Sequence, residues 1–272
     1  MIGERFRIDA LVGRGAMADV YRAFDLEAAG YVALKIMKRS LSEDPEIRQR
    51  FAREADVQAK LRHPNIAALY TTGVTDMDEP YLVVELLRGK TLRHVIKSGL
   101  QVGARRAASY AWQALQGLAE VHRSGVLHRD LKPANIMLEA SPGPIERVVL
   151  IDFGFATLEG AAKLTQQGII LGSLAYVAPE RLRGELPDQR SDLYAIGVIL
   201  FEMLQGRPPF AAANDVDLVE LQLDAAPPPL DPALPQALRD VVGQALAKQP
   251  AQRYADAAAM ADALEAAARF IA

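Results

Sequence analysis

The sequence of 272 residues contains no cysteine. That absence excludes disulfides, thiol catalysis and cysteine-bound zinc together, and it fits a reducing compartment. Net charge is almost absent too: 31 Lys and Arg stand against 34 Asp and Glu, for a formal charge of -3, with no long basic run. No electrostatic footprint for nucleic acid or an anionic membrane follows from such a balance, so neither is expected as a partner. Long apolar runs are missing. The most apolar stretch, Leu193 to Leu204, falls short of the roughly 20 residues that a spanning helix needs, and the N-terminal MIGERFRID does not read as a signal peptide. The expected location is the cytoplasm, with no membrane contact from this segment. There is no internal repeat and no acidic tail. What remains is an ordinary globular composition, half hydrophobic and 24% charged, long enough for one large domain or two smaller lobes.

The first part of the chain reads as strands. Short apolar runs at Phe6 to Val12, Val20 to Phe24, Tyr31 to Met37 and Tyr81 to Leu86 are separated by turn formers. One helix is predicted among them over Pro45 to Arg62, where Ile47, Phe51, Ala55 and Leu61 recur near helical spacing. Beyond Lys90 the period lengthens. A helix is predicted over Ala104 to Arg123, with Trp112, Leu115 and Leu118 on one face and Gly125 ending the run. Another runs from an N-cap at Ser191 to about Gln205, apolar nearly all round as a buried helix must be, and Gly206 stops it. The proline-rich residues from Ala225 to Pro235 read as an ordered loop, and Met260, Leu264 and Ile271 mark a last amphipathic helix.

Several short motifs carry chemistry. GRGAMADV, Gly13 to Val20, has glycines that let backbone amides approach an anion, although by itself it reads more readily as a hairpin turn. In the strand VALK, alternation puts Ala33 and Lys35 on one face, which suits a flat base beside a phosphate; a lone strand lysine is more often simply exposed. Glu54, near the apolar edge of the next helix, can hold Lys35 in an ion pair, although on its own it reads as part of a solvated face. VLHRDLKPANIML, Val126 to Leu138, sets five polar residues between apolar runs. There Asp130 can accept a hydroxyl proton, Lys132 can neutralise a moving phosphoryl group, and Asn135 can ligate a hard cation. In VVLIDFGFA an apolar strand delivers Asp152 ahead of a glycine, as a metal ligand or as an Asp-x-Gly turn. Glu180 and Asp192 have no evident catalytic task, and a structural role is expected for both, with Arg253 the partner of Glu180.

Taken in order, GRGAMADV, VALK, Glu54, HRDLKPAN, DFG and APE resemble the eukaryotic-like (Hanks-type) Ser/Thr protein kinases of bacteria over nearly the whole chain. The resemblance implies an α+β, two-lobed protein kinase fold: a strand-rich N-lobe with one helix over about residues 1–86, a hinge at about 85–90 and a mainly helical C-lobe over about 91–272. It implies ATP as donor, Mg²⁺ or alternatively Mn²⁺ as metal, and serine or threonine hydroxyls of proteins as acceptors. Lys35 would hold the α- and β-phosphates and pair with Glu54, Asn135 and Asp152 would bind the metal, Asp130 would orient the hydroxyl, and Lys132 would steady the γ-phosphate. The phosphate loop would comprise Gly13, Arg14, Gly15, Ala16, Met17 and Ala18. Val12, Val20, Ala33 and Met137 would enclose the adenine, with backbone contacts from Glu85 and Leu87 and Val84 as gatekeeper.

The sequence departs from the family pattern at a few positions. Ala18 stands where a third glycine is usual, which predicts a stiffer loop. His94 replaces a frequent Asp near the ribose. Arg129 implies control by a phosphorylated loop, in which Thr165 is retained but Gln167 replaces a second threonine; Thr157 and Ser173 are further candidates. Autophosphorylation at Thr165 would call for a kinase dimer. A kinase-fold scaffold without catalysis would have lost phosphate or metal residues, and none is lost. A small-molecule kinase would not need GSLAYVAPE, which resembles a peptide-seating loop. The motifs also fit the catalytic part of a larger, membrane-anchored or secretion-linked kinase.

Overall fold

The computed structural model describes residues 1–99, 102–152 and 174–271. The chain divides into two units, Met1–Arg88 and Gly89–Ala272.

The first unit is built on a five-stranded antiparallel sheet of order β1-β2-β3-β5-β4. Its strands are β1 (Phe6–Arg14), β2 (Ala18–Asp25), β3 (Gly30–Met37), β4 (Leu69–Val74) and β5 (Pro80–Glu85), with helices α1 (Arg39–Ser42) and α2 (Pro45–Gln58) following β3. The period-2 alternation in β3 sorts its side chains onto two faces. Val32, Leu34 and Ile36 pack with Phe6, Ala23 and Val83. Met37, on the face shared by Ala33 and Lys35, packs with Ala18, Leu69 and Leu82 against Phe51 and Ala55 of α2. Helix α2 starts where Asp44 accepts the amides of Glu46 and Ile47 and Pro45 occupies the first turn. It stops at Gln58, four residues short of the predicted end. Leu61 stays buried beyond the helix, so the apolar spacing extended past the hydrogen-bonded turns.

The second unit carries a small antiparallel sheet of β6 (Gly89–Thr91), β7 (Ile136–Glu139) and β8 (Arg147–Leu150), in that order. Its helices among the described residues are α3 (Leu92–Lys97), α4 (Ala104–Arg123), α5 (Pro179–Leu182), α6 (Gln189–Gln205), α7 (Asp215–Asp224), α8 (Gln236–Ala245) and α9 (Ala257–Ala268). Helix α6 runs through one large core and contacts α4, α8 and α9; every residue from Ser191 to Met203 is buried. Its N-cap is Asp188, which accepts the amide of Arg190, and not Ser191. The Ser191 hydroxyl is spent on Glu180 instead, at 2.5 Å, and leaves the cap to the earlier residue. At the other end Gly206 takes φ 74°, the left-handed conformation that closes a helix C-terminus. On α4, Leu115 and Leu118 are buried and Trp112 is only partly so. Residues 225–235 form no helix or strand and bury Leu230. Met260 and Leu264 face the core from α9, whereas Ile271 lies three residues past its end and packs partly against the same core.

Candidate active site

In the first unit, β1 and β2 shorten the glycine loop to Gly15, Ala16 and Met17, because Val12, Gly13 and Arg14 belong to β1 and Ala18 and Val20 to β2. The Gly15 amide donates to the Ala18 carbonyl at 2.9 Å, and a Cβ on Gly15 would stand 2.8 Å from that oxygen, so only glycine fits the turn. The Met17 carbonyl accepts from the Lys38 amide at 2.9 Å, which ties the loop to the end of β3. Ala18 is a strand residue whose methyl lies in the core beside Met37 and Phe51. Ala18 thus acts through packing in the strand, and a restricted φ within the turn is not its contribution.

Lys35 pairs across the sheet with Val20 and Leu82, and Ala33 with Val84. The Lys35 ammonium reaches Glu54 Oε1 at 2.7 Å, with both side chains largely buried. At the end of β5, the Glu85 amide donates to the Ala68 carbonyl at 2.9 Å and its carboxylate accepts the Ala68 amide. Leu87 follows in extended chain.

In the second unit, a loop between α4 and β7 presents Asp130. Both of its carboxylate oxygens accept from Lys132 Nζ, at 2.9 and 2.7 Å. Asn135 Nδ2 donates to the Asp130 carbonyl and to Oδ2, each at 2.8 Å. One lysine and one asparagine thus fix the carboxylate from two directions. The Asn135 carbonyl accepts the Ile151 amide at 3.0 Å, which ties this loop to the chain leaving β8 just before Asp152. Asp152 is exposed and holds φ 53°. Met137 lies on β7, opposite Val149. His94, on α3, is exposed.

The loop is held from below by Asp192 of α6. Its carboxylate accepts the amides of His128 at 2.8 Å and Arg129 at 2.9 Å, and lies 2.9 Å from His122 Nε2. Burial pushes the Asp192 carboxyl up, but the bonds and charges of His122 and His128 outweigh it and leave its pKa below the usual aspartate value. His128 is fully buried, and desolvation holds its pKa below the ordinary histidine value. Glu180 and Arg253 form a bidentate buried pair, both contacts at 2.8 Å, as expected from their lack of a catalytic task. Sequence reasoning left Asp192 without a partner because its partners are main-chain amides about 60 residues away. The usable signal was an acid inside a helix apolar on every side, which has to be satisfied by something.

Among the described residues no group of three or more His, Cys, Asp or Glu side chains is arranged to hold a metal. The donor set present suits Mg²⁺ nonetheless. Asn135 spends its nitrogen on Asp130, so its oxygen is the atom it offers a hard cation; Asp152 offers a carboxylate; and Mg²⁺ characteristically takes few protein ligands beside water and phosphate. Thr157, Thr165 and Ser173 lie outside the described residues, as do Phe153 and Gly154 of DFG.

The family model described as "Protein kinase domain" matches residues 6–265. The chain belongs to the protein kinase domain family. Among curated kinases of bacteria, it is 37% identical to a probable serine/threonine-protein kinase of Streptomyces coelicolor, over 97% of this chain and 40% of that protein. It is 36% identical to serine/threonine-protein kinase PknA of Mycobacterium tuberculosis, over 97% of this chain and 62% of that protein. Against PrkC of Bacillus subtilis the identity is 35%, over 93% of this chain and 39% of that protein. The chain thus spans about two-fifths to three-fifths of these kinases. The solved kinase domain of Mycobacterium tuberculosis PknI superposes with a TM-score of 0.74 at 26% identity, covering 98% of this chain and 97% of that one. The kinase fold follows from that superposition, with the antiparallel sheet in the first unit and the helical second unit described above.

Proposed function

We propose that this kinase domain transfers the γ-phosphate of ATP to serine and threonine hydroxyls of proteins. The observation that carries the reading is Asp130, held on both oxygens by Lys132 and on Oδ2 by Asn135, in a loop whose amides are fixed by Asp192. A carboxylate so held orients an incoming hydroxyl and takes its proton as the substrate oxygen bonds to the γ-phosphorus and the bond to the β-phosphate oxygen breaks. Lys132 lies close enough to Asp130 to neutralise charge on the group in transit. Lys35, poised by Glu54, would hold the α- and β-phosphates. The loop from Gly13 to Ala18 would cover them, and Val12, Val20, Ala33, Val84 and Met137 would line the adenine site with main-chain contacts from Glu85 and Leu87. The Glu85 amide is engaged by Ala68, so its carbonyl is the group it offers the base. Asn135 and Asp152 would hold Mg²⁺, which when bound screens the phosphate charge. Such catalysis is positioning and charge stabilisation.

Names of the curated relatives support serine and threonine over tyrosine, as does Lys132 two residues after Asp130. The main autophosphorylation site in this reading is Thr165, modified between two copies of the chain. ATP as donor argues for a cytoplasmic location, and the greater length of the curated relatives argues for a domain of a larger protein; no helix among the described residues is long and apolar enough to cross a membrane. The test is incubation with labelled ATP, Mg²⁺ and a generic protein acceptor beside Asp130→Asn, with phosphosites mapped by mass spectrometry. Transfer by the parent but not by Asp130→Asn is the expected result. Absence of transfer by a parent carrying phosphate at Thr165 overturns the reading, and full activity with Thr165 unmodified overturns the assignment of that site.

A further inference from the structure

The peptide that leads into Asp130 is under constraint of its own. Arg129 holds φ 66°, a left-handed conformation that a long side chain adopts only when its surroundings impose it. Its amide is fixed by Asp192 Oδ1 at 2.9 Å. Its carbonyl, the half of the linkage next to Asp130, accepts from Arg181 Nη1 at 2.6 Å. A charged donor makes that bond stronger than a neutral one.

Arg181 is mounted rigidly. It sits on the single turn α5, entered through Pro179, and its neighbour Glu180 is locked by Arg253 and Ser191. Burial holds the Arg181 pKa below the ordinary arginine value, against the pull of Asp192 and Asp130, and a guanidinium stays protonated regardless. A small cavity is lined by Arg181 together with Arg129, Asp130, Tyr176 and Asp192, so this cation faces the underside of the Asp130 loop. The Arg129 Nε is buried and has no hydrogen-bond partner among the described residues.

We propose that Arg181 is a positioning residue for phosphotransfer, fixing the plane of the Arg129–Asp130 peptide and through it the direction of the Asp130 carboxylate. Asp192 and Arg181 then form a two-sided clamp, with an anion on the amide of Arg129 and a cation on its carbonyl. Without the cation, the carbonyl is free to rotate as Arg129 relaxes from its left-handed conformation, and the Asp130 amide, which donates to the His128 carbonyl at 2.9 Å, rotates with it. This rests on the reading of Asp130 as the base. It concerns kcat rather than nucleotide affinity, because Arg181 bonds to the main chain of the loop that carries Asp130, whereas the glycine loop and Lys35, read as the phosphate holders, belong to the other unit.

The test compares Arg181→Met, which keeps the length and apolar stem but removes donor and charge, with Arg181→Lys, which keeps a cationic donor. Each is assayed for kcat, for KM of ATP, for melting temperature and for hydrogen exchange of residues 126–135. Arg181→Met is expected to fold, to lose about tenfold or more in kcat with KM for ATP unchanged, and to exchange faster in that segment, as loss of one charge-assisted bond implies. Arg181→Lys is expected to recover most of both losses. Parental kcat and exchange in Arg181→Met overturn the proposal. So does an Arg181→Lys variant as slow as Arg181→Met whose kcat follows melting temperature, since a packing role alone would then suffice. If the parent itself transfers no phosphate, the proposed function fails, and exchange of residues 126–135 still decides the clamp by itself.

Discussion

Replacing Asp192 by asparagine removes one charge and one acceptor from beneath the Asp130 loop while conserving shape. The aspartate serves three groups: the amides of His128 and Arg129 and the Nε2 of His122. Asparagine has one acceptor oxygen, and its NH₂ would face a donor, so at least one buried amide loses its partner. An orphaned buried donor costs about 1–3 kcal/mol, and conversion of the surviving charge-assisted bonds to neutral ones adds about 1 kcal/mol. The sum, about 2–4 kcal/mol, is a large part of the 5–15 kcal/mol typical of a folded domain but leaves it folded. Urea unfolding followed by circular dichroism is expected to show the midpoint falling by about 1 M, for a slope of about 3 kcal/mol/M. If about half of the strain reaches Asp130, kcat falls about fivefold to thirtyfold with KM for ATP nearly unchanged. The pH dependence has a definite sign. The folded-state pKa of Asp192 is depressed, so its contribution is complete above the unfolded value near 3.9 and is lost as pH falls through the folded value. The stability difference between parent and Asp192→Asn should therefore be flat at neutral pH and shrink only in acid. A variant with an unmoved midpoint and parental kcat would refute the account of what holds the loop.

Lys35→Met and Asp152→Ala are each expected to slow phosphotransfer by about two orders of magnitude or more without lowering the melting temperature greatly, measured by labelled ATP transfer beside a thermal melt. Arg253→Met should cost about 3–5 kcal/mol, because it strands the Glu180 carboxylate among buried atoms; urea unfolding reads the loss, and the double change Glu180→Leu with Arg253→Met should regain part of it. Lys248 has its pKa lowered to about 8 by burial, and the folded form gives up its proton before the unfolded form does. Its destabilising share is thus full below pH 8 and is relieved as pH rises toward the unfolded value near 10.4, so melting temperatures from pH 7 to 9.5 should converge with those of Lys248→Met. Gly15→Val should force the turn apart at the Ala18 carbonyl and raise KM for ATP several-fold or more, read from initial rates at varied ATP.

Strands with clean alternation were legible in the sequence, as was α4, whose apolar face and glycine stop agree. Strand β4 was not, because LYTTGV alternates around exposed Tyr70 and Val74 and lacks the polar outer face that marks a half-buried strand. Helices α1 and α3 are too short to show a period. The start of α6 was misread because serine, a good cap by type, had a better use for its hydroxyl in Glu180. At the candidate site, Asp130, Lys132 and Asn135 lie within six residues of sequence, and their contacts could be read locally. The supports from Asp192 and Arg181 bond to main-chain atoms more than fifty residues away, and no pattern of side-chain types announces a partner that every residue possesses.

Ala18 belongs by motif to a nucleotide loop and by contact to the cluster of Met37, Phe51 and Ala55. Its methyl is therefore answerable to the helix that carries Glu54 as much as to any phosphate. Natural drift at position 18 should be matched by volume changes at 37, 51 or 55, and the four positions should be inherited as a set. A chimera that restores glycine at 18 while keeping Phe51 and Ala55 would import a void the size of a methyl group under the loop, and the damage would surface in the seating of α2.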